Sequence, residues 1–146
     1  MAEQPSILLI EARYYEDIAD AMAEGAIQTI ENKGRFSVKR MAVPGVFEVP
    51  AAVNFVNLSK NSYAGIVALG CVIRGETDHY EHVCREASRA LMDLSVQDKI
   101  ALGFGILTCD TKQQAQERAA IGGRNKGAEA ADACLRMIEV KQSYHP

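Results

Sequence analysis

The segment Gly70-Cys71-Val72-Ile73-Arg74-Gly75-Glu76-Thr77-Asp78-His79-Tyr80-Glu81-His82 brings two kinds of chemistry together. It leaves an apolar strand at residues 66–69, turns at Gly75 and enters a helix with a histidine near its first turn. Glycine lets a backbone approach a ligand closely, and the free N–H groups at a helix start favour an anion. A histidine placed there moves protons near neutral pH. His79 is therefore the candidate acid–base group, of a kind that contributes typically ~10²–10⁴-fold; the competing reading is a capping or surface histidine. His82, three residues on, gives a His-x-x-His spacing, but no further ligand cluster accompanies it, and no metal is expected.

Other residues have chemistry to offer. Phe47-Glu48 sets a hydrophobic plate beside a carboxylate that could hold a polyhydroxylated or amine-bearing ligand. Tyr14 and Tyr15 could stack on a flat heterocycle. Arg118 and Lys126 could each neutralise an anion. Each has a plainer alternative: a packed phenylalanine, a solvated glutamate, rim aromatics, solvated helix cations. Taken together they suggest a flat polar heterocycle plus a phosphate. A Gly-x-Gly-x-x-Gly after the first strand and a Walker-type phosphate loop are both missing, as is an acidic cluster for magnesium at the end of that strand.

The elements that must position these residues alternate between two periods. Ser6–Ala12 reads as a buried strand, and 35–43, Gly65–Ile73 and 100–107 read as the further strands. Glu16–Lys33 repeats Ile18, Met22, Ala26 and Ile30 on one helical face, and Gly34 stops it. Val43-Pro44-Gly45 is a turn. Pro50 belongs in a first helical turn, so a helix starts near it and ends near Ser59, leaving Phe47 and Glu48 at the junction. Residues 61–64 form a loop. Helix 79–95 turns Val83, Ala87, Leu91 and Leu94 inward, and Asp78 and Glu81 have capping-box spacing. Thr111 and Gln114 form a fuller box for a helix to Ala120; Gly122-Gly123 breaks it, and 125–140 is the last helix.

The order βαβαβαβαα predicts a parallel sheet covered by helices on both faces. Ligands bind such sheets beyond the carboxyl ends of the strands. Tyr14, Phe47, Glu48, residues 75–79 and Thr108 all follow strands and should share one rim. The 146 residues are expected to form a single domain, with 1–5 and 141–146 frayed. Hydrophobic content of 48% and charged content of 24% are typical of a soluble globular protein, and a net charge of −3 offers no basic field for nucleic acid. No run reaches membrane-spanning length and residues 1–6 do not read as a signal peptide, so a cytoplasmic location is expected. Cys71, Cys84, Cys109 and Cys134 read as reduced, mostly buried thiols.

Four ordered blocks carry a resemblance. Residues 43–50 (VPGVFEVP), 72–79 (VIRGETDH), 105–118 with its Gln114-Ala115-Gln116-Glu117-Arg118-Ala119 run, and 125–130 (NKGAEA) resemble the motifs of the lumazine synthase family. The likeness spans about residues 6–140. It implies a flavodoxin-like, three-layer αβα sandwich on a four-stranded parallel sheet. It also implies a transferase of riboflavin biosynthesis, acting at the penultimate step. That enzyme condenses 5-amino-6-ribitylaminouracil with 3,4-dihydroxy-2-butanone 4-phosphate to 6,7-dimethyl-8-ribityllumazine, with no cofactor or metal.

The resemblance assigns roles residue by residue. His79 matches the catalytic histidine. Tyr14 would stack on the pyrimidine; Val46, Phe47 and Glu48 would line the ribityl and pyrimidine pocket; Val72 and Ile73 would give backbone contacts. Gly75, Glu76 and Thr77 would cradle the phosphate, with Arg118 as its cation. Phe104, Lys126 and Glu129 would complete the site. The partners implied are the two small substrates and further copies of the chain, in a pentamer with sites between neighbours and with Phe104 and Arg118 supplied by the adjacent subunit. The segment Ala120-Ile121-Gly122-Gly123-Arg124 departs from the family's usual Gly-Thr-Lys-x-Gly, so assembly is expected to stop at the pentamer rather than a larger shell. Two other readings use the same scaffold: a non-catalytic flavin- or lumazine-binding shell protein, and an archaeal-type riboflavin synthase. The joint presence of His79, Arg118 and Lys126 favours the enzyme over the binder, and the PGVFEVP and RGETDH blocks favour it over the synthase.

Overall fold

Apolar runs bounded by charge, proline or glycine build the sheet. The computed structural model describes residues 4–59 and 62–144. In it β1 (Ser6–Ala12), β2 (Ser37–Val43), β3 (Gly65–Ile73) and β4 (Leu102–Cys109) pair in parallel in the order β2-β1-β3-β4. β3 is the most apolar strand and is paired on both sides, with Leu9 opposite Val67 and Val72 opposite Thr108. β2 and β4 are the edges. The strand order is that of flavodoxin-like sheets.

Helices cover both faces. α1 (Glu16–Lys33), α4 (Lys112–Ala119) and α5 (Lys126–Tyr144) bury Met22, Ala26, Ile30, Ala115, Ala131 and Cys134 against one face. α2 (Val49–Leu58) and α3 (His79–Gln97) bury Val49, Val53, Val83, Ala87 and Leu91 against the other. The expected three-layer αβα sandwich is the one observed. Leu94 is only half-buried, on the margin of its face. Cys71, Cys109 and Cys134 are buried, Cys84 is half-buried, and all four are free thiols. Among the described residues no helix is long and apolar enough to cross a membrane.

The bounds of β1, α1 and β3 coincide with the sequence reading, and the differences elsewhere have local causes. Val46–Glu48 is a turn of 3-10 helix, which the sequence analysis left as an open junction. It runs straight into α2, so the helix begins at Val49 and Pro50 lies one residue inside it, still in the first turn where its missing N–H is harmless. β4 starts at Leu102, because Lys99 adopts a left-handed φ of 57° before it. It runs on to Cys109, which puts Thr108 inside the strand and not after it. β2 starts at Ser37 instead of Arg35, and α3 continues to Gln97. α5 starts at Lys126, because Asn125 has a positive φ of 48°. It continues past Val140 to Tyr144, anchored by Lys141 Nζ donating to Lys99 O at 2.7 Å. Gln4 and Pro5, expected to fray, are tied down: Gln4 Nε2 donates to Gly34 O at 3.2 Å and Ser37 N to Pro5 O at 2.9 Å. Residues 1–3, 145 and 146, and part of the expected 61–64 loop, lie outside the described residues.

One buried carboxylate fixes the β1 end of the sheet. Glu11 is 2% exposed. It accepts from Arg13 Nη1 at 2.7 Å and from Arg40 Nε and Nη2 at 2.7 and 2.8 Å. Arg13 also pairs with Glu16 and Asp20 of α1, so the turn carrying Tyr14 and Tyr15 is held to both strand and helix. A buried ion whose partner is removed is costly, because the remaining charge is left uncompensated. Glu11→Ala should therefore lower the free energy of unfolding by about 3 kcal/mol, measured by urea denaturation; a loss under about 1 kcal/mol, typical of an exposed pair, would show that the two arginines hydrate freely.

Candidate active site

The rim at the carboxyl ends of the strands holds a cleft of about 470 Å³. Tyr14 reaches it from the β1–α1 turn, Val46, Phe47 and Glu48 from the 3-10 turn, Val72 and Ile73 from the end of β3, and His79 from the first turn of α3. Four segments of the chain thus place seven expected site residues around one space. Two features keep the 3-10 turn low over the sheet. Val46 is buried, and a Cβ at Gly70 would come within 2.7 Å of Val46 Cγ2, so only glycine there lets the turn settle. Glu48 Oε1 folds back toward Gly45 and has no hydrogen bond or ion pair among the described residues. Tyr14 is 75% exposed and Phe47 63% exposed, two large apolar faces open at the cleft.

The start of α3 is ordered differently from the capping box expected of Asp78 and Glu81. Asp78 makes no capping bond; its carboxylate pairs with His82 Nε2 at 3.1 Å, so His82 is engaged on the helix surface. Thr77 Oγ1 instead accepts from His79 N at 3.3 Å, which leaves its hydroxyl proton to donate. Glu81 accepts from its own backbone N–H and from Arg74, and these two, in that order, hold its carboxyl below the usual range. Arg74 in turn donates through Nε to Asp110 Oδ1 at 3.0 Å and stacks over Tyr80, with its guanidinium 4.4 Å from the ring centroid. Gly75, Glu76 and Thr77 stand exposed between these anchors, with open space where a Cβ of Gly75 would project.

Phe104, Arg118, Lys126 and Glu129 lie elsewhere. They line a second cleft, of about 420 Å³, along the free edge of β4 between α4 and α5, together with Thr108. Phe104 is 47% exposed on that edge strand. Lys126 Nζ and Glu129 Oε2 pair at 2.9 Å, one helical turn apart. Arg118 Nη1 donates to Cys109 Sγ at 3.3 Å and to Gln114 Oε1 at 3.4 Å. Its Nε and Nη2 make no hydrogen bond among the described residues, and the residue itself lines the cleft. The capping box of α4 is formed on one side by Gln114 N donating to Thr111 Oγ1 at 3.1 Å. Its return bond comes from Asp110 N to Gln114 Oε1 at 2.8 Å, one residue earlier than the usual donor.

The sequence reading did not single out Cys71 and Val83, which also line the first cleft. Two spacings point to them. Cys71 alternates with Ile73 on β3, and Val83 follows His79 by one helical turn. Burial pushes the Cys71 thiol up to about 12, with the adjacent Cys109 thiol adding to the shift. Cys71 is thus a protonated, apolar wall at neutral pH rather than a nucleophile. Tyr15 packs edge-on against Tyr14, ring centroids 4.9 Å apart, and under Lys112, which fixes the aromatic pair to α4.

Known proteins resemble this chain over nearly its full length. Residues 4–142 match the family model of 6,7-dimethyl-8-ribityllumazine synthase. A protein of that name from Bartonella tribocorum is 48% identical over 144 residues, 99% of this chain and 95% of the relative. One from Methylobacterium radiotolerans is 50% identical over 137 residues, covering 93% and 82%, and one from Nitrobacter winogradskyi is 48% identical over 141, covering 93% and 85%. With nearly its whole length matched, the chain belongs to the 6,7-dimethyl-8-ribityllumazine synthase family.

Proposed function

We propose that the chain condenses 5-amino-6-ribitylaminouracil with 3,4-dihydroxy-2-butanone 4-phosphate, forming 6,7-dimethyl-8-ribityllumazine and releasing phosphate and water. The observation that carries this reading is the convergence of an exposed aromatic pair, a free carboxylate and a histidine on one rim cleft of suitable size, in a chain of this family. Tyr14 and Phe47 offer flat faces to the pyrimidine, and Glu48 accepts from the ribityl hydroxyls. Val72 and Ile73 give backbone groups to the ring edge. The 75–77 loop and Arg118 hold the phosphate.

The amine of the pyrimidine attacks the ketone carbonyl, and water leaves to give an imine. Phosphate is eliminated, the enol left behind tautomerises to a ketone, and the ribityl-bearing exocyclic nitrogen closes on that carbonyl with loss of a second water. Each step moves a proton, and His79, at the mouth of the cleft, is the group able to carry it. The remaining residues hold two reactants in register, which accounts for several kcal/mol of the barrier. The phosphate is both handle and leaving group, so the cations around it serve binding and elimination together.

The division of the site residues between two clefts supports a ring in which neighbours meet head to tail. The His79 cleft of one subunit would then close against the Phe104–Arg118 cleft of the next. The reading includes a pentamer that assembles no further, given the altered Ile121–Arg124 turn, and a cytoplasmic location.

Incubation with both substrates should yield the fluorescent lumazine and one phosphate per turnover, and failure of the wild-type protein to do so removes the assignment. His79→Ala should lower kcat by about 10²-fold or more, within the usual range for a lost general acid–base group, while binding of the ribityl pyrimidine changes little; unchanged turnover in a folded variant takes His79 out of the mechanism. Arg118→Lys should raise KM for the phosphorylated ketone by about tenfold, since a point charge replaces a planar fork, and leave pyrimidine binding alone. Equal damage to both substrates would contradict its role at the phosphate.

A further inference from the structure

The cation of a phosphate site is useful only in one pose, and the structure holds Arg118 by groups outside the cleft itself. Gln114 Oε1 is the junction. It accepts from Arg118 Nη1 at 3.4 Å and from Asp110 N at 2.8 Å. Asp110 is itself gripped, because its carboxylate accepts from Arg74 Nε at 3.0 Å and Arg74 N donates to Cys109 O at 2.8 Å. Arg74 is fixed by Glu81 and by stacking on Tyr80 at the start of α3. A continuous series of polar contacts therefore runs from the helix start that carries His79, across the end of β4, to Arg118. Among the described residues both bonds of Arg118 fall on Nη1, which leaves the Nε–Nη2 edge without a partner there. That edge is the one that meets two phosphate oxygens at once.

We propose that Gln114 is a positioning residue for the reaction: its carbonyl oxygen, held by the Asp110 backbone, sets the pose of Arg118 so that the open edge of the guanidinium receives the phosphate of the ketone substrate. The proposal rests on the reading of Arg118 as the phosphate cation. It assigns a role to a glutamine that otherwise reads only as part of a helix cap. It also separates two arginines in the same region: Arg74 has its Nε on Asp110, its Nη1 on Glu81 and its face on Tyr80, whereas Arg118 has only Nη1 engaged among the described residues and keeps the Nε–Nη2 edge for substrate.

Gln114→Met keeps the length of the side chain and removes the acceptor. KM for the phosphorylated ketone, and the inhibition constant of inorganic phosphate against it, should each rise by about tenfold, the size of one hydrogen bond to a charged group. KM for the pyrimidine should stay within about twofold, below the effect of one such bond. Thr111→Ala is the control for helix integrity, since it removes the cap at Gln114 N without touching the Arg118 contact. It should lower the melting temperature and leave both phosphate readouts in place. Gln114→Leu is the second variant should the methionine protein fail to fold; it also removes the acceptor that meets Asp110 N and Arg118 Nη1, so the same two constants should rise. The proposal is overturned if either folded Gln114 variant leaves both constants unchanged, or if Thr111→Ala raises them equally. Arg118→Ala distinguishes the two levels: if it leaves both phosphate constants unaltered, the assignment of Arg118 itself is at fault.

Discussion

Parallel pairing on both sides of β3 is the constraint from which the site follows. A parallel strand cannot be reached by a tight turn; each needs a helix to carry the chain back to the starting edge. All four strands therefore end on the same rim, and every segment that leaves a strand leaves it there. Tyr14, the 3-10 turn, the 75–79 loop and the β4–α4 turn are brought together by this alone. Burial of β3 from Gly65 through Val72 fixes its register against β1 and β4, so the neighbouring turns are placed to within the spacing of a strand pair.

Electrostatic contacts then do two different jobs, and magnitudes separate them. Glu11 is buried with two arginines, where loss of a partner costs several kcal/mol. It secures the β1 end of the rim as a matter of stability. The ion pairs of Arg74 with Glu81 and Asp110 are half-exposed, and pairs of that kind contribute about 0–1 kcal/mol each. Their value is geometric: they fix the relation between the start of α3, which carries His79, and the end of β4, which leads to α4 and Arg118.

Much of this was legible in the chain. The apolar runs at β1 and β3 and the four-residue repeat of α1 have one interpretation each, so their bounds agree with the structure. The rim grouping of Tyr14, Phe47, Glu48 and His79 follows from strand order alone. Local hydrogen-bond choices were not legible. Asp78 has capping spacing, yet a histidine one turn on and a threonine one residue back divide the available partners differently. The 3-10 turn at Val46–Glu48 depends on Gly70, more than twenty residues away, leaving room for Val46. The resemblance implied that Phe104 and Arg118 belong to a neighbour's site; that Lys126 and Glu129 lie with them does not follow from motif spacing, because it depends on β4 being an edge strand with α4 and α5 beyond it.

The central claim is that one chain carries two halves of different sites, each completed by a neighbour. Equal amounts of His79→Ala and Arg118→Ala protein, refolded together into mixed rings verified by mass spectrometry, test it directly. Random mixing leaves about a quarter of head-to-tail junctions with both an intact His79 side and an intact Arg118 side. Activity should therefore recover to about a quarter of the wild-type level, far above either variant alone. Mixed rings no more active than the separate variants would show that each site is built within one chain.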